Sequence, residues 1–259
     1  MMWKNIRVSI LLLILAYVAL DQWREHALLD WQRPLQVVLY PINADQSPRV
    51  AQYLPTLQQT DFKVVEDYFR QHSKAYGLPV DRPFFIHLGT AVQSAPPAPP
   101  TTGSLLDVIR WSLAFRWYAW QHTPADDFKP DVRLFLLYHD PKLTPRLSHS
   151  TALEKGRIGR VNLFGSSKQH EQNMIVIAHE LLHTVGATDK YDLNNNQPIN
   201  PMGLADPQKS PLYPQHQAEL MGGRIALSPT QAKIPDRLNQ TVMNRLTAIE
   251  IGWITPTTP

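Results

Sequence analysis

Cysteine is missing altogether from the 259 residues. That excludes a thiol nucleophile, an iron–sulfur cluster, a Cys-type zinc site and any disulfide staple. Any metal must be held by His and carboxylates, and any nucleophile must be Ser, Thr, a carboxylate or water. Glycine is scarce, 11 residues against 23 prolines, which favours long, stiff loops over flexible linkers. Charge is low at 18%, and the apolar share of 43% is ordinary for a globular chain. The length suits one sizeable core, or one domain with two lobes. The formal charge is +3, and setting aside Lys4 and Arg7 leaves 23 basic residues against 22 acidic ones. No block of Lys and Arg remains, so no nucleic acid is expected as a partner. Phosphate loops, GxGxxG and GxSxG are missing too, which leaves nucleotide binding and serine hydrolysis without support.

The N-terminus holds a long apolar run. Residues 1–7 form a short positive leader, and Val8–Leu20, VSILLLILAYVAL, follows with only Ser9 polar. A positive leader before such a run directs the leader inward and the rest of the chain outward. At ~1.5 Å per residue the run covers about 20 Å, short of the ~30 Å hydrocarbon core. Trp3 and Trp23 stand ready for the two interfaces, and Lys4 and Arg7 for snorkelling. An uncleaved signal anchor, a transmembrane helix over residues 8–20, is the expectation; a cleaved signal peptide is the alternative. The body then lies outside a single-pass cytoplasmic membrane, in the periplasm of a bacterium or extracellularly.

Residues 21–34 read as a polar linker, and 35–259 as the remaining domain. Leu35–Tyr40 reads as a buried strand closed by Pro41, and Pro83–Leu88 and Val132–Tyr138 as two more. Arg49–Tyr76 has helical spacing and stops at Gly77. Ser104–His122 is an aromatic-rich helix with Trp111, Phe115 and Tyr118 on one core-facing side. Arg157–Phe164 alternates polar and apolar residues, which suits a half-exposed edge strand. Lys168–Val185 is a strongly apolar helix, Asp189–Lys233 a long irregular stretch, and Arg237–Ile251 a last helix. The expected fold is α+β, a mixed sheet with a mostly irregular and helical C-terminal lobe.

The chemistry concentrates in HELLHTVGATD, residues 179–189. His179 and His183 are four apart, so a helix stacks them on one face where both can reach one metal at ~2.0–2.1 Å. Glu180, one position round, borders the open side and can act as a base without being a ligand. Two imidazoles and a carboxylate in so apolar a helix are costly unless something satisfies them. Gly186 can stop the helix with positive φ and turn the chain back. Asp189 then returns as an oxygen donor, with Glu219 as the rival third ligand. Asp192–Asn196 has alternate oxygens like a calcium loop but lacks its Gly and bidentate Glu, so an Asn-rich turn is expected.

HExxHxxGxxD resembles the zinc signature of the metzincin metallopeptidases, in the variant with Asp as the third ligand. The resemblance implies Zn²⁺ on His179, His183 and Asp189, Glu180 as the catalytic base, and a peptide or protein substrate. It also implies a five-stranded upper subdomain whose edge strand binds extended peptide, the place given to Arg157–Phe164. A Met in a tight turn beneath the metal is implied as well, with Met221 in AELMGGRI preferred over Met202 in NPMGLADP. Tyr191 and Tyr213 are both candidates to stabilise an oxyanion. The functional expectation is a membrane-anchored zinc peptidase facing the cell envelope. Its alternatives are a non-catalytic envelope binding protein stiffened by a metal, and a zinc amidase acting on peptidoglycan.

Overall fold

The computed structural model describes residues 6–8, 12, 15, 29–101, 103–123 and 129–256. Most of the apolar run and of the leader and linker therefore lies outside the described residues. Among the described residues, no helix is long and apolar enough to cross a membrane.

The fold is mixed α+β. Its elements are β1 (Leu35–Asn43), α1 (Pro48–Tyr53), α2 (Lys63–Ala75), β2 (Phe84–Leu88), α3 (Leu105–Gln121), β3 (Val132–His139), β4 (Thr151–Leu153), β5 (Ile158–Phe164) and α4 (His170–His183). Beyond α4 come the short strands β6 (Ala218–Glu219), β7 (Ile225–Ala226), β8 (Ala232–Lys233) and β9 (Thr241–Val242), then α5 (Arg245–Glu250). The first five strands form one sheet in the order β2-β1-β3-β5-β4, parallel except for β4.

Strand alternation divides the core in two. Val37, Leu39, Leu134 and Leu136 point to the face covered by α2 and α4, where Phe62, Phe69, Met174, Ile177 and Leu181 pack against them. Val38, Tyr40, Phe135 and Leu137 point to the other face, beneath Trp111, Phe115 and Tyr118 of α3.

Several boundaries differ from the sequence reading. β1 runs on through Pro41, whose carbonyl accepts Val92 N–H at 2.9 Å beyond the end of β2. The N–H that proline lacks would point the same way, so the ladder to β3 is intact. The body begins before Leu35. Trp31 is buried against Phe84 and Trp253 and donates to Ile251 O at 2.8 Å.

The expected edge strand is not the edge. A turn with positive φ at Gly156 (96°) and Arg157 (46°) folds Thr151–Leu153 back onto Ile158–Arg160, so β4 takes that place. Gly159 within β5 is small because a Cβ there would strike the Leu134 side chain. The last helix is also shorter than Arg237–Ile251. Asn244 caps it, its Oδ1 accepting Thr247 N–H at 3.1 Å, while Thr241–Val242 before it is extended and paired with β6. The C-terminal lobe is thus mainly irregular, with one short α-helix among the described residues.

Candidate metal centre

α4 is apolar nearly all round because it is buried against the sheet and the C-terminal lobe, with Met174, Ile177, Leu181 and Leu182 all inaccessible. It ends in a Schellman arrangement: Ala187 N–H bonds Leu182 O at 3.1 Å, Gly186 N–H reaches His183 O at 3.3 Å, and Gly186 has φ 104°. That reversal delivers Asp189 to the two imidazoles.

The donor atoms converge. His179 Nε2 and His183 Nε2 lie 3.0 Å apart, and each is 3.1 Å from Asp189 Oδ1. Their other nitrogens face carbonyls, His179 Nδ1 on Leu220 O at 3.0 Å and His183 Nδ1 on Ala187 O at 2.8 Å. A carbonyl can only accept, so each Nδ1 carries a hydrogen, and a neutral ring then presents a lone pair at Nε2. Two lone pairs and a carboxylate oxygen, crowded together, repel one another unless a cation lies between them. A proton serves in part; a divalent ion serves fully. A tetrahedral ion with ~2.0–2.1 Å bonds spaces its ligands about 3.3 Å apart, close to what is seen here. The residues therefore fit a metal of the zinc type, with the Nδ1–carbonyl bonds as the outer support such ligands need.

Glu180 belongs to the same cluster, its carboxylate within 4.8 Å of the imidazole nitrogens. Asp189 is the carboxylate in hydrogen-bond reach of both rings, its Oδ1 3.1 Å from each Nε2. Glu180 Oε2 is buried and without a hydrogen-bond partner. Burial pushes its carboxyl pKa up, partly offset by the two imidazoles. Burial pulls His179 down, but its bond to Asp189 and the charges of Glu180 and Asp189 outweigh this and push it up to about 9. Burial raises Asp189, but the bonds from both histidines dominate and hold it far below the usual carboxylate range.

The floor of the site is the turn Glu219–Gly223, where Met221 is fully buried and Leu220 supplies the carbonyl for His179. Met202 is exposed, so of the two methionines Met221 lies beneath the cluster. Backbones stack tightly there. A Cβ on Gly222 would collide with Gly203 O, and one on Gly203 with Lys190 O. Glu219 is engaged elsewhere. Its Oε1 accepts Thr247 Oγ1–H at 2.6 Å and its Oε2 accepts Gly222 N–H at 2.8 Å. It secures the turn, with both carboxylate oxygens engaged away from the two imidazoles.

Of the two tyrosines, the structure brings Tyr191 to the site. Its ring lies 6.2 Å from that of His179, and burial, with the nearby charges of Asp189 and Glu180, raises its phenol pKa. Asp192 forms an Asx turn, Oδ1 accepting Asn194 N–H at 2.8 Å, as expected of an Asn-rich loop.

The sequence reading missed a clamp around the third ligand. Glu250 Oε1 accepts Thr188 Oγ1–H at 2.7 Å, and Oε2 accepts Lys190 Nζ–H at 2.6 Å and Thr188 N–H at 3.1 Å. One carboxylate thus holds both residues that flank Asp189. Lys190 is buried, and its N–H bonds Met221 O at 2.9 Å. No short motif signals this, since Glu250 lies on a different element far along the chain. Comparison with models of known protein families and with curated proteins gives no match.

Proposed function

We propose that the chain is a zinc-dependent peptidase, held to a membrane by its N-terminal apolar run and working on the outer side, with a zincin-like catalytic domain. The observation that carries this is the meeting of His179 Nε2, His183 Nε2 and Asp189 Oδ1 within 3.1 Å of one another beside the unpartnered, buried Glu180 Oε2. A purely structural metal site closes its coordination, whereas His179, His183 and Asp189 would hold the ion with three ligands and leave Glu180 beside it as a base.

When bound, Zn²⁺ supplies Lewis acidity, making a water more acidic and a carbonyl more electrophilic. Glu180 accepts the proton of the attacking water and then delivers it to the leaving nitrogen. Its raised pKa suits both halves of that exchange. Tyr191, whose ring lies beside that of His179, can turn its phenol hydrogen to the substrate oxygen as charge develops there. His179 and His183 are kept in the correct tautomer by the carbonyls of Leu220 and Ala187. An extended peptide pairs with β4, which lies beside α4. Thr151 and Leu153 bond inward to β5, so alternation turns the Ala152 N–H and C=O outward. The inner strand β5 has no room for this: Ser150 Oγ takes Asn162 N–H at 2.9 Å, and Asn173 Oδ1 takes Phe164 N–H at 3.2 Å.

Glu180→Gln should keep its zinc and lose hydrolysis of a casein or peptide-library substrate. His183→Ala should lose the metal, read by elemental analysis of the purified protein. Full activity in Glu180→Gln removes the mechanism.

A further inference from the structure

The outer face of α3 is apolar and bare. Leu106, Ile109, Leu113, Trp117 and Trp120 recur at intervals of three and four, so they form one stripe along the helix. Leu106 is 71% exposed, Leu113 60%, Trp117 59% and Trp120 68%. The stripe is roughly 20 Å long at ~1.5 Å per residue. Its inner counterpart, Trp111, Phe115 and Tyr118, already satisfies the sheet, so packing among the described residues does not account for the outer one. A contiguous apolar patch of this kind on a helix marks a binding surface.

Three observations point to lipid as its occupant. The two indoles cluster at one end, with ring centroids 4.8 Å apart, and Trp is the residue that sits best at a membrane interface. Arg110 lies among the stripe residues, and Arg116 donates to Lys155 O at 2.9 Å, so basic groups border the patch where headgroup phosphates would lie. The first described residues ahead of β1 also meet the sheet at the start of β3, the strand that follows α3, though Trp31 itself packs on the other face. Arg33 clasps Asp131 at 2.8 and 2.9 Å just before β3, and Arg133 Nε–H bonds Thr123 Oγ1 at 2.8 Å just after α3. The connection from Leu20 to Leu29 spans at most about 30 Å at ~3.3–3.6 Å per residue, which keeps Leu29 near the bilayer.

We propose that the outer face of α3 lies in the interface of the bilayer that receives Val8–Leu20. The body then rests on the membrane, with the metal-site helix α4 on the opposite face of the sheet, turned away from lipid. The inference rests on the membrane-anchor reading of Val8–Leu20 proposed above and stands independently of the peptidase chemistry.

The absence of cysteine gives a clean test. The full chain, reconstituted in phosphatidylcholine–phosphatidylglycerol vesicles, is spin-labelled at Leu113→Cys, at Trp117→Cys, or at exposed Gln208→Cys on the C-terminal lobe. At 113 and 117 the oxygen-to-nickel-chelate accessibility ratio should exceed that at 208 by about fivefold or more. Two results overturn the proposal. One is nickel access at 113 and 117 equal to that at 208. The other is dipolar broadening that disappears on dilution with unlabelled chain, which assigns the face to a second copy. Should a label unsettle the fold, Trp117→Phe combined with Trp120→Phe offers a second test. It should remove a substantial part of the tryptophan quenching by brominated lipid, and unchanged quenching overturns the proposal equally.

Discussion

Raising the pH from 7 to 9 should tighten metal binding at His179, His183 and Asp189 steeply. In the metal-free chain the His179 ring holds its proton up to about pH 9. A metal needs the Nε2 lone pair that this proton occupies, so binding must displace it. At pH 7, about two pH units below that pKa, the displacement costs roughly 3 kcal/mol. Apparent affinity should therefore rise nearly tenfold from pH 7 to 8, less steeply beyond, and reach about a fiftyfold gain by pH 9. An imidazole with the ordinary pKa of about 6.5 is mostly deprotonated at pH 7 already and would gain only about 1.3-fold. Asp189, held far below the usual carboxylate range, releases no proton in this window. Competition with a chromogenic chelator at pH 7, 8 and 9 measures the slope. Calorimetry in two buffers of different ionisation heat counts the protons, and His179 should account for about one per metal near pH 7.5. An affinity flat across this window, with no proton released, would refute the placement of three acceptors around one point.

The metal-free protein supplies a second readout of the same pair. His179 has its pKa raised on folding, so its contribution to stability is complete below about pH 6.5 and fades as the pH climbs through about 9. Asp189 has its pKa depressed, so its contribution is present above about pH 4 and fades only in strong acid. For this pair the optimum lies between about pH 4 and 6.5. The Tm of chelator-treated protein should thus fall from pH 6.5 to 9 more than that of the metal-loaded protein. Glu180→Gln should reduce kcat about 10²–10⁴-fold at unchanged metal content, measured on a fluorogenic peptide. Tyr191→Phe should lower kcat about 10–100-fold with little change in KM or zinc affinity; a change in metal affinity alone would make the phenol a support for Asp189 only. Glu250→Ala leaves the Lys190 ammonium buried without its 2.6 Å partner, and unfolding in urea should show a loss of about 3–5 kcal/mol. The milder Glu250→Gln should keep the fold and weaken zinc binding about 10–100-fold, because both neighbours of Asp189 lose their charged anchor.

What could be read from the sequence was whatever is set by neighbours a few positions away. His179 and His183 share a helix face by periodicity alone, and Gly186 marks the stop because its positive φ is a local requirement. The buried strands were likewise visible as apolar runs. Other features depend on partners distant in the chain. Arg157–Phe164 has the alternation of an edge strand, yet whether a strand is the edge depends on what pairs with it, and the three residues of β4 are too few to carry a pattern. The start of the last helix is not legible in the sequence because Arg237–Met243 suits either a helix or the extended pairing of β9 with β6, and Glu219 and Asn244 decide between them.

The same division runs through the site. The donor atoms come from one short segment, but the groups that aim them do not. Leu220 lies in the turn after β6, and Glu250 lies at the end of α5. Three loop backbones, at Lys190, Gly203 and Gly222, must also approach too closely for any Cβ at the two glycines. A chain could therefore keep HExxHxxGxxD intact and still fail to bind metal if this lobe did not close. Conversely, a metal on the three donors pulls together α4, the Asp189 loop and, through Glu250, the final helix. Metal binding and closure of the C-terminal lobe thus draw on the same contacts, and chelation should loosen hydrogen-exchange protection at Leu220–Gly223 and Arg245–Glu250 before it reaches the sheet.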